Sequence, residues 1–133
     1  MVKGEDNNKG KDPLTGEIIG AAIEVHRHLG PGLLESAYAA CLAHELSRRG
    51  LGFEVEKPLP IAYKNVKLDA GYRMDLLVEN QVVVEVKAVD ALAAIHEAQL
   101  LSYLKLGGYK RGLLINFHVM ILKDGIRRMV LDF

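Results

Sequence analysis

The chain has 133 residues, 50% hydrophobic and 26% charged, the profile of one globular domain with a core of ordinary size. Its 17 basic and 17 acidic side chains cancel, which excludes a general attraction to polyanions and leaves only a local patch for contact with nucleic acid. The single cysteine, Cys41, excludes a disulfide framework or a cysteine zinc site within one chain, and it is expected as a small buried residue on a helix.

Residues 1–12, MVKGEDNNKGKD, are polar and mixed in charge, without the apolar region of a signal peptide, and read as a disordered tail before one domain at 13–133. Ile18, Ile19, Ala22, Val25 and Leu29 recur at helical spacing, and the turn Leu29-Gly30-Pro31-Gly32 ends that helix. A second helix is expected from about Leu33 to Arg49, with Leu34, Tyr38, Cys41, Leu42 and Leu46 inward and Gly50 as its stop.

The period then shortens to two. Phe53–Val55 begins a strand region, and Pro58 and Pro60 confine the next segment to an edge or loop. Lys64-Asn65 predicts a hairpin turn between Ile61-Ala62-Tyr63 and Val66–Ala70. Gly71–Val78 and Val82–Val89 are two further strands joined by Glu79-Asn80-Gln81. Asp90 is the expected cap of a third helix, Ala91–Leu106, ended by Gly107-Gly108. A strand at Gly112–Phe117 and a C-terminal hairpin around Asp124-Gly125, pairing HVMILK with IRRMVLDF, complete the chain. The longest apolar run, from Gly112, is about half of what a membrane helix needs, so a cytoplasmic location is expected. The order is that of a mixed α/β layer.

Charges interrupt the most apolar strands. On Val82–Val89 one face carries Val82, Val84, Val86 and Ala88, and the other carries Val83, Glu85, Lys87 and Val89. Both faces are mostly apolar, as in a central strand covered on both sides. On the preceding strand Asp75 shares a face with Arg73, Leu77 and Glu79, opposite Tyr72, Met74, Leu76 and Val78. An exposed ion pair is one reading of Glu85 and Lys87. The other begins from the pairing of the strands, which brings Asp75 toward Glu85; two such carboxylates repel unless a cation or proton lies between them. Mg²⁺ takes oxygen ligands of this kind, and an adjacent lysine can stabilise phosphorane charge or assist deprotonation of an attacking water. Glu35 on the second helix leans inward beside Tyr38, either as a first-turn acid favoured by the helix dipole or as a further site acid. Gln99 and Tyr103 fall on the stripe of Leu92, Ile95 and Leu106, either as a satisfied core amide with a packed tyrosine or as part of the same site. His26 and His28 diverge on a solvated helix face, Arg73 is a candidate for phosphate or carboxylate, and His96 could touch the site edge.

Gly32–Tyr38, GLLESAY, resembles the signature of the GxxExxY proteins, small chains similar to members of the PD-(D/E)XK nuclease superfamily. The likeness continues through GYRMDLLVEN, VVVEVKAV, the helix with Gln99 and Tyr103, and GLLINF, covering roughly Ile18–Phe133. It departs at Met74, where the superfamily's name has proline. The resemblance implies a restriction-endonuclease-like core, a central mixed sheet flanked by helices. It implies Asp75, Glu85 and Glu35 as ligands of Mg²⁺ or Mn²⁺, Lys87 as the signature lysine, and Gln99 and Tyr103 as a Q-x-x-x-Y element bordering the site. The expected activity is hydrolysis of phosphodiester bonds, in DNA before RNA, in a chain that can act as a homo-oligomer. A non-catalytic nucleic-acid- or protein-binding module on the same fold is the alternative.

Overall fold

The structure, a computed structural model, describes residues 2–5 as backbone only and residues 12–132 in full. Elements follow in the order β1 (Val2–Glu5), α1 (Pro13–Leu29), α2 (Glu35–Arg48), β2 (Phe53–Pro58), β3 (Ile61–Tyr63), β4 (Val66–Leu68), β5 (Arg73–Val78), β6 (Val82–Lys87), α3 (Ala94–Gly107), β7 (Arg111–Asn116) and β8 (Ile126–Leu131). One mixed sheet runs β1-β8-β7-β6-β5-β2, and β3-β4 is a separate hairpin. Among the described strands only β6 and β7 pair in parallel, across the α3 crossover. No helix among the described residues is long and apolar enough to cross a membrane.

Strand alternation sorts the core into two layers. Val82, Val84 and Val86 pack with α1 and α2 through Ile18, Tyr38 and Leu42, while Val83 packs with α3 through Leu100 and Leu104. β6 is therefore central and covered on both faces, as its apolar pattern requires. Hairpin turns fall where expected: Lys64 and Asn65 have φ of 48° and 65° in a two-residue turn, and Glu79 and Asn80 of the three-residue Glu79-Asn80-Gln81 connection 53° and 55°, left-handed geometry that reverses the chain tightly.

The differences have local causes. Within the expected tail, Val2–Glu5 forms a strand on β8, and 6–11 lie outside the described residues. Asp12 belongs to the fold: its Oδ1 accepts the Thr15 N–H at 3.1 Å as the α1 cap, and Oδ2 meets Arg111 at 2.5 Å. On α2, Leu34 and Cys41 are exposed rather than inward, because only Tyr38, Leu42 and Leu46 lie on the buried stripe. Asp90 does not cap α3; the helix starts three residues beyond the expected Ala91, and its N-terminal end is tied by His96 Nδ1, which accepts the Ala93 N–H at 2.9 Å. The core face of α3 is Leu100, Tyr103 and Leu104, with Ile95 and Leu106 exposed. HVMILK is not a strand. The chain after β7 passes through a 3₁₀ turn at Leu122–Gly125, and β8 pairs directly with β7. Gly125 is buried there, and the position takes glycine because a Cβ would collide with the Asn116 carbonyl oxygen.

Candidate active site

The β5–β6 ladder runs from Val78↔Val82 to Leu76↔Val84 and then stops. One residue further, side chains take over from the backbone. Glu85 Oε2 accepts the Asp75 N–H at 2.9 Å, and Asp75 Oδ2 accepts the Val86 N–H at 2.8 Å. Each carboxylate thus satisfies a strand N–H that a continuing ladder would have used. The expected alternation also fails here: Met74 is buried on the α3 side with Leu77, not with Leu76 and Val78.

Glu85 is 4% exposed. Burial first, and the Asp75 charge second, push its carboxyl up to about 8. Burial likewise raises Asp75, against the lowering effect of its hydrogen bond from Val86 N–H. Lys87 lowers both carboxyls through its charge but does not cancel burial. Its ammonium donates to Gln99 Oε1 at 3.3 Å, and Gln99 Nε2 donates to Tyr103 Oη at 3.3 Å. Since an ammonium only donates, the amide orientation is fixed by chemistry. Burial raises the Tyr103 phenol, with Glu85 and Asp75 as like-signed neighbours. Gln99 and Tyr103 therefore border the acids, and the surface ion-pair reading of Glu85 is overturned by its burial.

Glu35 is placed by the loop before it. Gly30 and Gly32 take φ of 66° and 104°, and Tyr38 Oη donates to Gly30 O at 2.6 Å while accepting the Leu33 N–H at 3.1 Å. The Tyr38 ring stacks on Phe117 at 4.6 Å. The G-x-x-E-x-x-Y spacing has a physical sense: tyrosine pins the glycine loop, and the glutamate begins the helix facing the end of β6. Glu35 is exposed and its Oε2 accepts the Ala88 N–H at 3.3 Å, one residue past Lys87. Its charge raises Asp75, the weakest of that group's influences.

Sequence reasoning missed two residues. Glu56 stands opposite Asp75 in the β2–β5 register, between the pairs Val55↔Leu76 and Lys57↔Met74. Its φ is 52°, a strained value for a residue with a Cβ, and its charge adds to the repulsion on Asp75 and Glu85. Residue type alone carries no signal for that backbone. Asn116 is 1% exposed; its Nδ2 donates to Val89 O at 2.9 Å and its Oδ1 accepts the Val89 N–H at 3.1 Å. It holds the chain beyond Lys87 against β7. A polar residue ending an apolar strand is the trace it leaves in the sequence.

Other candidates resolve plainly. His26 is half-buried rather than solvated, with Nε2 2.7 Å from Val119 O. Arg73 pairs with Asp69 at 3.5 Å and lies outside the acid pair. His118 faces Asp90 at 3.7 Å.

A family model of the PD-(D/E)XK nuclease superfamily matches residues 12–129. The chain belongs to that superfamily. No curated protein and no solved structure matches it. The mixed sheet flanked by helices is the PD-(D/E)XK fold, and membership points to a metal-dependent nuclease with nucleic acid as substrate.

The donor set fits a hard divalent cation. The groups are carboxylate oxygens, and burial together with mutual repulsion makes the ionised Asp75–Glu85 pair costly without a cation to offset its charge. Among the described residues no three His, Cys, Asp or Glu side chains gather as a metal cage. Glu35, expected as a third ligand, is thus not gathered with Asp75 and Glu85 into one cage; two carboxylates completed by water and phosphate are a set that Mg²⁺ commonly takes.

Proposed function

We propose that the protein is a Mg²⁺- or Mn²⁺-dependent deoxyribonuclease of the GxxExxY kind. One observation carries the reading: Asp75 and a buried Glu85 crossing between adjacent strands, with Lys87 on the same face and no apolar reason for any of them. A charge set this costly persists where chemistry uses it. Asp75 and Glu85 would hold the ion, and Glu35, bonded to the Ala88 N–H just past Lys87, would add its charge from the end of β6. The bound cation supplies a water of lowered pKa and a positive charge for the phosphate oxygens.

The chain's own groups do the rest. Asp75 and Glu85, each bonded to the other's strand, keep their carboxyl groups fixed at the end of the ladder, where the scissile phosphate has to arrive. Lys87 offers its ammonium to the charge that grows on the phosphoryl oxygens, or takes part in deprotonating the nucleophile. Gln99 holds that ammonium in place, and Tyr103 anchors Gln99. Tight placement of this kind contributes to rate by orientation.

Cleavage of single-stranded and duplex DNA in Mn²⁺, set beside calorimetric Mn²⁺ binding, tests the reading. Asp75→Asn should lose both binding and cleavage, and Lys87→Ala cleavage with binding largely kept. Unchanged cleavage in both variants would defeat it. A protein inert toward every nucleic acid with metal present would be the binding module instead.

A further inference from the structure

Alongside Lys87 and Gln99 lies an open cleft of about 490 Å³, walled by Ile61, Tyr72, Ile95, His96 and Tyr103 as well. We propose that this cleft seats an unstacked nucleobase, so that the substrate is a single strand or a frayed end rather than a closed duplex. The inference rests on the nuclease reading and adds a substrate class to it.

The walls are suited to a flat, partly polar ring. Tyr72 is 41% exposed and its ring is braced edge-on against Tyr103, with centroids 6.0 Å apart at 64°. Ile95, 71% exposed, gives apolar surface on the α3 side. A large aliphatic side chain and a tyrosine left uncovered next to a charged site are costly unless something covers them. Besides the tyrosine hydroxyls the polar side chains are few: Lys87, His96, Gln99 and Ser102. Since His96 Nδ1 accepts the Ala93 N–H, the neutral ring carries its proton on Nε2, a donor for a base edge or phosphate oxygen. Among the described residues no carboxylate lines the cleft. Its volume suits a nucleotide-sized group, and Lys87 is one of its walls, so a base seated here would bring its own phosphate toward that ammonium.

Charge argues in the same direction. Binding a duplex draws most of its affinity from phosphate neutralisation by lysine and arginine. Here Arg27, Arg49, Arg73 and Arg111 each face a carboxylate of the chain within 3.5 Å, and the net charge is zero. With those four arginines already engaged, more of the affinity is left to stacking, which is available only to bases already out of a helix.

Fluorescence anisotropy in Ca²⁺, with gel analysis to confirm intact label, tests this with three ligands of equal length: an oligothymidylate, an abasic strand and a blunt duplex. The oligothymidylate should bind tightest. Tyr72→Ala should weaken it roughly 5- to 100-fold, Tyr72→Phe should restore it, and Ile95→Ser, a change on exposed surface, should weaken it too. Equal binding of the abasic strand or the duplex overturns the proposal, as does an unaltered Tyr72→Ala protein or no binding at all. Cleavage in Mn²⁺ by wild type against Asp75→Asn reads the nuclease reading separately. Stacking without metal-dependent cleavage sinks only that reading, and cleavage without stacking sinks only this one.

Discussion

Asp75 and Glu85 each accept the backbone N–H at the other's strand, at 2.8 Å and 2.9 Å, across the point where the β5–β6 ladder ends. The exchange holds two carboxyl groups together inside the sheet, and Glu85 answers by keeping a proton to about pH 8. The unfolded chain releases that proton near 4.5. Between those values the folded state binds more protons than the unfolded one, so stability must fall as pH rises, then level off above about 8. Asp75, also raised by burial, adds a loss of the same sign. Chemical denaturation in EDTA should show a decline on the order of 3–5 kcal/mol from pH 5 to pH 8. Saturating Mn²⁺ should flatten it by binding the ionised pair, and Glu85→Gln should remove most of it. A flat profile in EDTA contradicts the arrangement.

Asp75→Asn should stabilise the metal-free protein while abolishing its response to metal. Asparagine keeps an oxygen for the Val86 N–H and removes the charge that opposes Glu85. At pH 8 in EDTA the gain should be about 1–2 kcal/mol, the sign expected where a site is kept at the expense of stability. The rise in melting temperature that Mn²⁺ gives the wild type should vanish. A destabilised variant would mean that the second Asp75 oxygen has a structural duty.

Much of this site could be read from Asp75, Glu85 and Lys87 because alternation on β6 is regular and its neighbours are apolar. The hairpin turns were legible for the same reason: Lys64-Asn65 and Glu79-Asn80 lie between clear strands. The face of α3 was not, since apolar residues surround that helix and no single stripe stands out; Ile95 and Leu106 match the period yet line the cleft. The HVMILK run, His118 to Lys123, shows a second limit: its residues favour a strand, yet β8 takes the place beside β7. Glu56 was invisible because its role comes from backbone geometry that glutamate rarely adopts.

Tyr38→Phe isolates what the motif tyrosine does for its loop. The variant keeps the ring on Phe117 and loses the bonds to Gly30 O and Leu33 N–H. Urea unfolding should report a cost of about 1–2 kcal/mol, against about 3–5 kcal/mol for Tyr38→Ala, which also empties the core. Amide exchange at Gly32 and Leu33 should quicken in the phenylalanine variant. Unchanged exchange there would sever the tyrosine from the placement of Glu35.

Asn116→Ala should be among the costlier polar truncations in the chain. The side chain is 1% exposed and serves the Val89 N–H, the Val89 carbonyl and the His118 N–H together. Leaving those groups unpaired should cost about 2–4 kcal/mol by denaturant unfolding. Cleavage should fall as well, since the chain just past Lys87 is no longer tied to β7. Asn116→Asp, which keeps the acceptor and loses the donor, should lie between the two.

Gln99→Leu separates the placement of the lysine from the binding of metal. Gln99 touches Lys87 and Tyr103 but neither carboxylate, so Mn²⁺ affinity by calorimetry should change less than about twofold while kcat falls roughly 10- to 100-fold. Gln99→Glu should be worse for turnover than Gln99→Leu, because a carboxylate at 3.3 Å from the ammonium would neutralise the charge that the phosphoryl oxygens need. That ordering is what distinguishes an electrostatic lysine from a merely structural one. If Gln99→Glu turns over as well as wild type, Lys87 acts through packing and the catalytic charge has to be sought elsewhere on the sheet edge.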